Sequence, residues 1–317
     1  MGRFQLPAPT RAASLEKNKM LAAAAAVALG VSALAVGTAR AVGARLHDEH
    51  RIQTRSGTAL VKTVRTPDGT PVRVLQQGGV YQSATYLDNR RFEPVFAYYR
   101  AFDALFEAEP AFSRLSGHGI RTVLMLGGGG FSYPKHLLTT TGDIQMDVVE
   151  VDRAIVEAAR RWFFVDELER QLADDETSNG NSLNVVVGEG RAFLQAAPAP
   201  DAPASYDVIV NDAFSGAEPV RALATLAAAR AVKSRLSLGG MYAMNVVSRA
   251  GGADLSFLRD ETATLRRAFA HVHVIPCEDA TFGGEANYLL IASDAPYEFK
   301  GAVPYDDDFL GKVLLEG

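Results

Sequence analysis

The sequence predicts an α/β protein with a mostly parallel sheet, an antiparallel edge and a small antiparallel β-domain in front. Three observations predict it. Beyond Gly119, short apolar runs alternate with helical or polar stretches, the pattern of βαβ units whose strands lie buried between two layers. The first of those runs ends in four consecutive glycines at 127–130 and leads into a helical pattern, so a tight turn joins strand to helix. Ahead of them, two segments of period-2 alternation flank the turn Pro67-Asp68-Gly69.

Taken in order, residues 1–19 are a basic leader with Arg3, Arg11, Lys17 and Lys19. Residues 20–39, MLAAAAAVALGVSALAVGTA, carry no charge, and about 20 apolar residues suffice to span a bilayer. The stretch reads as a membrane anchor, as a signal peptide with an A-x-A-like site at Ala39-Arg40-Ala41, or as an exposed Ala-rich helix or the product of a misassigned start codon. Arg40, Arg45, Arg51 and Arg55 follow it, so basic residues flank both sides and set no orientation. Polar residues 40–56 read as a linker. Residues 57–90 form the small β-domain, TALVKTVRT and PVRVLQQGGVYQSATYL being its extended segments. Residues 91–317 form the main domain. There Phe92, Val95, Phe96, Tyr99, Phe102, Leu105 and Phe106 recur at helical spacing over 92–112, the stripe of a core-facing helix. Seven strands follow at 122–126, 145–151, 183–188, 206–211, 241–247, 271–275 and 287–292. The first five are parallel and the last two pair antiparallel at an edge.

Composition excludes some functions. The apolar fraction is 48% and the formal charge −5, which offers no basic surface for nucleic acid. Cys277 is the sole cysteine, so no intrachain disulfide and no cysteine-based metal site forms. His271 and His273 share one strand face, but no carboxylate stands at metal-ligand spacing from them. No metal is expected.

Chemistry concentrates at the strand ends of residues 121–212. Glycines at the end of the first strand let a ligand approach the backbone where ligands bind doubly wound sheets. The dinucleotide fingerprint fails, because its third glycine falls on Ser132 or Tyr133; this turns a Rossmann-like sheet away from NAD. The second strand ends VVEVD. Glu150 lies about 20 residues past the glycines, where an acid meets ribose hydroxyls, whereas Asp152 reads as the cap of the next helix. Glu189, between Gly188 and Gly190 at the third strand end, suits either an adenine amine or a plain turn. Asp212 ends the fourth strand and faces the same cleft; its other reading is a cap for a helix over 217–236.

LMLGGGG, VVEVD, VVVGEGRAFL and YDVIVNDAFSG resemble segments of the spermidine synthases, polyamine aminopropyltransferases with a class I methyltransferase fold. DAFSGAEPV is most similar to the bacterial spermidine synthase-like branch, which includes proteins with membrane segments, and Val80-Tyr81-Gln82-Ser83 also matches. The resemblance covers about residues 57–293. It implies that Gly127, Gly128 and Gly129 line a sulfonium nucleoside, S-adenosylmethionine or its decarboxylated form. It implies further that Glu150 binds the ribose, that Glu189 sits near the adenine, that Gln82 lies near the active site and that Asp212 is the catalytic carboxylate. Two positions depart from the family pattern. Gly130 stands where aminopropyltransferases carry an aspartate for the amino group of the transferred chain. Ser215 stands for the second aspartate of a D-x-x-D pair; Glu218 is a candidate substitute.

The leading expectation is therefore a transferase moving an alkyl (aminopropyl) group to a small-molecule amine. The alternatives are a methyltransferase acting on another acceptor, or a catalytically silent, membrane-tethered nucleoside-binding protein. S-adenosylmethionine is a cytosolic metabolite, so the chain is expected to be membrane-anchored through 20–39 with its catalytic domain cytoplasmic; signal-peptide export is the alternative. No nucleic-acid partner is expected, and homo-oligomerisation stays open.

Overall fold

The structure, a computed structural model, describes residues 49–200, 202–215, 218–248, 254–277 and 286–316, with backbone alone at 215, 218 and 286. Strands β1 (Glu49–Thr54), β2 (Gly57–Arg65), β3 (Pro71–Gln77) and β4 (Val80–Tyr86) form a four-stranded antiparallel sheet in that order. Strand β1 lies within the stretch read as a linker. Its EHRIQT alternates exposed and half-buried positions, a period-2 pattern hidden among charges.

The main sheet has seven strands in the order β12-β13-β11-β8-β5-β6-β7. They are β5 (Thr122–Leu126), β6 (Gln145–Glu150), β7 (Ser182–Val187), β8 (Tyr206–Asn211), β11 (Leu236–Ser248), β12 (His271–Cys277) and β13 (Ala286–Ser293). β11, β8, β5, β6 and β7 run parallel, and β13 pairs antiparallel with both β11 and β12. This is the expected α/β architecture. Central strand β8 is buried at every position, as its continuous apolar run requires between two covered faces. One core cluster packs Val123, Met125 and Val210 against Phe102, Tyr133 and small-sheet residues Val72 and Val74. The other packs Leu124, Leu126 and Ile209 with Leu194, Val232 and Leu258.

The apolar stripe at 92–112 does not make one helix. It divides into α1 (Tyr98–Ala101), α2 (Ala104–Glu107) and α3 (Glu109–Ser116), although Phe96, Tyr99, Phe102 and Leu105 are buried as their spacing requires. Pro110, in the first turn of α3, lacks an amide donor and crowds the preceding turn. Helices α4 (Ser132–Thr140), α5 (Arg153–Trp162), α6 (Val165–Leu172) and α7 (Gly190–Gln195) follow. Asp152 caps α5, accepting from the Ala154 amide at 2.9 Å.

The helix expected over 217–236 starts later. After β8 come the short strands β9 (Phe214–Ser215) and β10 (Glu218–Pro219) and a 3-10 turn at Arg221–Leu223, and α8 runs Leu226–Ser234. Thr225 caps it, accepting from the Ala228 amide at 3.1 Å, so Asp212 caps no helix there. Helix α9 (Ser256–Arg266) covers the far end of the sheet.

The small sheet sits directly on the main domain. Ala59, Val61 and Leu75 pack with Ile155 and Phe163 of the α5 region, and His50 stacks on Trp162 with ring centres 4.7 Å apart. The backbone N–H of Arg55, in the β1–β2 turn, donates to the Asp152 carboxylate, and its guanidinium donates to the Val151 carbonyl at 3.2 Å. Buried Lys135 on α4 fastens the other side, donating to Thr85 Oγ1 at 3.0 Å, Arg91 O at 3.1 Å and Phe163 O at 2.9 Å.

The expected membrane anchoring and localisation are corrected. No helix among the described residues is long and apolar enough to cross a membrane, and segment 20–39 lies outside them. The reading drew on the length and neutrality of that segment, on the resemblance to a branch with membrane segments and on the cytosolic location of S-adenosylmethionine, and none of these fixes how an Ala-rich stretch folds. The anchor, and membership of a branch with membrane segments, are withdrawn.

Candidate functional site

A cleft of about 870 Å3, open mouth included, lies at the carboxyl ends of β5, β6, β7 and β8 beneath the small sheet. Its walls bring together Gln82, Gly127, Gly128, Gly129, Glu150, Glu189 and Asp212, all seven residues singled out from the sequence. Three of them are acids, and among the described residues lining the cleft there is no lysine, arginine or histidine. Such walls favour a cationic ligand.

The glycine turn explains its own composition at two positions. Gly127 has φ +94°, and a Cβ on it would fall 2.5 Å from the Asp212 carbonyl oxygen. The ends of β5 and β8 therefore touch through backbone alone. At Gly130 a Cβ would meet Ser83 Oγ at 2.5 Å, Ser83 Cβ at 2.8 Å and Phe163 Cδ1 at 2.9 Å. Ser83 is fully buried and shares a 2.9 Å hydrogen bond with Ser132. The place where the family carries an aspartate side chain is thus filled from the small sheet.

Glu150 closes the loop from below. Its Oε2 accepts from the Gly128 and Gly129 amides, both at 3.0 Å, and its Oε1 accepts from the Asp152 amide at 3.0 Å. A carboxylate has about four acceptor sites, so three backbone donors leave it room for one more. Glu189 caps α7 through the Arg191 and Ala192 amides at 3.3 and 2.9 Å. The plain-turn reading and the cleft position therefore coexist in one residue.

Asp212 stands at the opposite end of the cleft. Its Oδ1 accepts from Asn245 Nδ2 at 2.8 Å and its Oδ2 from the Tyr98 hydroxyl at 3.2 Å. Desolvation among these neighbours raises its pKa to about 6, against the opposing pull of hydrogen bonds from Asn245, Tyr98 and Tyr99. A carboxylate oriented by two donors and titrating near neutrality can accept a proton from a bound cation.

Sequence reasoning missed Tyr98, Asn245 and Gln77, and took Tyr99 for core alone. Asn245 carried a signal, as a polar residue inside the apolar run MYAMNVV. Tyr98 carried none: it sits beside the stripe residue Tyr99 and meets Asp212 only through the tertiary fold. The side chains of residues 215 and 218 lie outside the described residues, so the expectation that Glu218 substitutes for an aspartate falls outside them too. His271 and His273 are half-buried on one face of β12, and no group of three or more His, Cys, Asp or Glu that could hold a metal ion occurs among the described residues.

Fold and site together define an α/β protein with an acid-lined cleft at the carboxyl edge of its parallel strands and a small β-sheet as its roof. The chain belongs to the spermine/spermidine synthase domain family, which matches residues 111–275. It is 28% identical over 189 residues to the eEF1A lysine and N-terminal methyltransferase of Mus musculus, covering 58% of this chain and 24% of that protein. It is 26% identical over 151 residues to the polyamine aminopropyltransferase of Vibrio vulnificus, covering 48% of this chain and 44% of that one. The chain thus spans less than half the length of these curated relatives. A solved structure of a probable spermidine synthase from Corynebacterium glutamicum superposes with a TM-score of 0.59 at 21% identity, covering 79% of this chain and 82% of that one. That likeness is one of fold.

Proposed function

We propose that the chain transfers an alkyl group, in the family's manner an aminopropyl group, from an S-adenosylmethionine-type sulfonium nucleoside to a small-molecule amine. The observation that carries the proposal is Asp212, a desolvated carboxylate at the end of an acid-lined cleft, fixed by Tyr98 and Asn245. Gly127, Gly128 and Gly129 admit the nucleoside against the backbone, Glu150 takes its ribose, Glu189 stands on the adenine side, and Gln82 covers the reacting end.

An alkylammonium acceptor is protonated near neutrality, with a pKa around 10, and has no lone pair. Asp212 attracts it and accepts one proton. The freed nitrogen lone pair forms an N–C bond to the carbon beside sulfur. The C–S bond breaks with its electron pair going to sulfur, and a neutral thioether leaves. Partly desolvated surroundings strengthen that attraction, because the field of a carboxylate weakens less there than in water.

Methyl transfer through the same cleft is the second reading, favoured by one observation: the space beside Gly130 is filled by Ser83 and Phe163. Calorimetry with S-adenosylmethionine, its decarboxylated form and methylthioadenosine separates the two. Tighter binding of the decarboxylated form supports aminopropyl transfer, tighter binding of S-adenosylmethionine supports methyl transfer, and binding of none sinks both.

A further inference from the structure

Gln77, on β3, lines the cleft and has no part in the transfer step. Its Nε2 donates to Thr54 Oγ1 at 2.6 Å, and the Thr54 hydroxyl donates to the Gly57 carbonyl at 2.6 Å. This pair of bonds fixes the amide. A carbonyl oxygen can only accept, so the one hydroxyl hydrogen of Thr54 goes to Gly57, and Thr54 turns a lone pair toward Gln77. Only the NH2 of the amide can answer that lone pair, which settles an orientation that distances alone leave ambiguous. The other end of the amide, the acceptor Oε1, is held away from Thr54.

The surroundings say which part of a ligand it meets. Thr54 precedes Arg55, whose N–H and guanidinium bond the Asp152 carboxylate and the Val151 carbonyl. Leu75, two residues before Gln77 on the same strand, packs with Ile155 at the start of α5. Gln77 therefore overhangs the corner formed by Glu150, Val151 and Asp152. Glu150, with three backbone donors already satisfied, has room for one further hydroxyl, and a second acceptor is needed if a vicinal diol binds at this corner.

We propose that Gln77 is a specificity-determining residue for the co-substrate: its Oε1 accepts from one hydroxyl of the ribose, Glu150 accepts from the other, and Thr54 holds the amide in register. The proposal rests on the nucleoside reading above. It ties ligand binding to the β1–β2 turn, so the small sheet acts as a ribose sensor as well as a roof.

The test is calorimetry on the full chain with methylthioadenosine and its 2′-deoxy and 3′-deoxy analogues, for wild type, Gln77→Leu, Gln77→Glu and Thr54→Val. Gln77→Leu weakens methylthioadenosine about three- to tenfold, the worth of one neutral hydrogen bond. The factor falls to near one for whichever deoxy analogue lacks the bonded hydroxyl. Gln77→Glu keeps an acceptor for the hydroxyl but loses the donor to Thr54, so it binds methylthioadenosine more weakly while still discriminating between the analogues, and Thr54→Val weakens methylthioadenosine because the Gln77 amide is free to turn over. Equal weakening of all three ligands by Gln77→Leu, or unchanged affinity in both Gln77→Leu and Thr54→Val, overturns the contact while leaving the nucleoside reading intact. A wild-type chain that binds none of the three ligands overturns the nucleoside reading itself.

Discussion

Replacing Asp212 by asparagine tests the site through two independent readouts. The change preserves shape. The replacement's amide oxygen can still accept from Asn245, and its NH2 can donate to the Tyr98 hydroxyl, so the neighbours at 2.8 and 3.2 Å need not move. Turnover loses a general base, an effect of about 10²- to 10⁴-fold, while methylthioadenosine affinity stays within a few-fold. Stability moves the other way. Desolvation raises the Asp212 pKa from 3.8 to about 6, so the native state keeps its proton up to about that pH while the unfolded chain releases it near the ordinary carboxyl value. Between these values the unfolded state binds fewer protons, and wild-type stability falls as pH rises through the window. At about 1.4 kcal/mol per pKa unit the cost above pH 6 has an upper bound on the order of 3 kcal/mol; Asp212 is only half-buried, and solvent screening reduces it to about 1–2 kcal/mol. Denaturant melts of both proteins between pH 4 and pH 8 check this: the variant gains on the wild type as pH rises and the gap levels off above pH 6. A gap independent of pH refutes the desolvated carboxylate, and wild-type turnover in the variant refutes its role as base.

Three further outcomes follow from the same geometry. Gly127→Ala drives a Cβ to 2.5 Å from the Asp212 carbonyl at φ +94°; it is expected to destabilise the fold by about 1–3 kcal/mol and to lower turnover by displacing Asp212, both read in one melt and one assay. Gly130→Asp, which restores the family residue, is expected to destabilise by a similar amount and to give no gain in aminopropyl transfer unless Ser83→Gly accompanies it; a gain from the single variant would show the space to be open. Burial lowers the Lys135 pKa to about 7, so between about pH 7 and its unfolded value the unfolded chain holds the extra proton and stability rises with pH. Lys135→Met should abolish that rise and cost on the order of 2 kcal/mol through the acceptors it strands, as pH-resolved melts will show.

Much of this molecule is legible in its sequence because the relevant physics is local. The strands from β5 to β8 are mostly apolar runs whose ends carry the glycines and acids, and a parallel sheet puts those ends on one edge whatever the loops do. What stayed hidden depends on distant neighbours. The stripe at 92–112 specified burial correctly but could not show that the helix is interrupted after Ala101 and again at Ala108, before Pro110, nor that Tyr98 meets Asp212, 114 residues further along the chain. Strand β1 was masked by Glu49 and Arg51, which are exposed on the outer face of the sheet. Gln77 reads as one glutamine of a turn-flanking pair until pairing with β2 brings Thr54 beside it.

The departure at Gly130 is best understood as an exchange between two sheets. An aspartate there needs an empty space at the end of the glycine turn, and in this chain that space holds Ser83, whose hydroxyl bonds to Ser132 and whose neighbour Phe163 is fully buried. Phe163 in turn packs with Val61 and Leu75 of the small sheet, and its carbonyl accepts from Lys135. Glycine at 130 therefore goes with a close seat of the small sheet on α4 and α5. The same seat carries Gln77 over the Glu150 corner. The coupling predicts a trade: changes that reopen the space beside Gly130 loosen the roof, and a loosened roof weakens the nucleoside before it alters the reaction. Measuring methylthioadenosine affinity and melting midpoint together in Ser83→Gly decides the point. If the midpoint drops while affinity holds, roof and ribose corner are independent, and the filled space concerns stability alone.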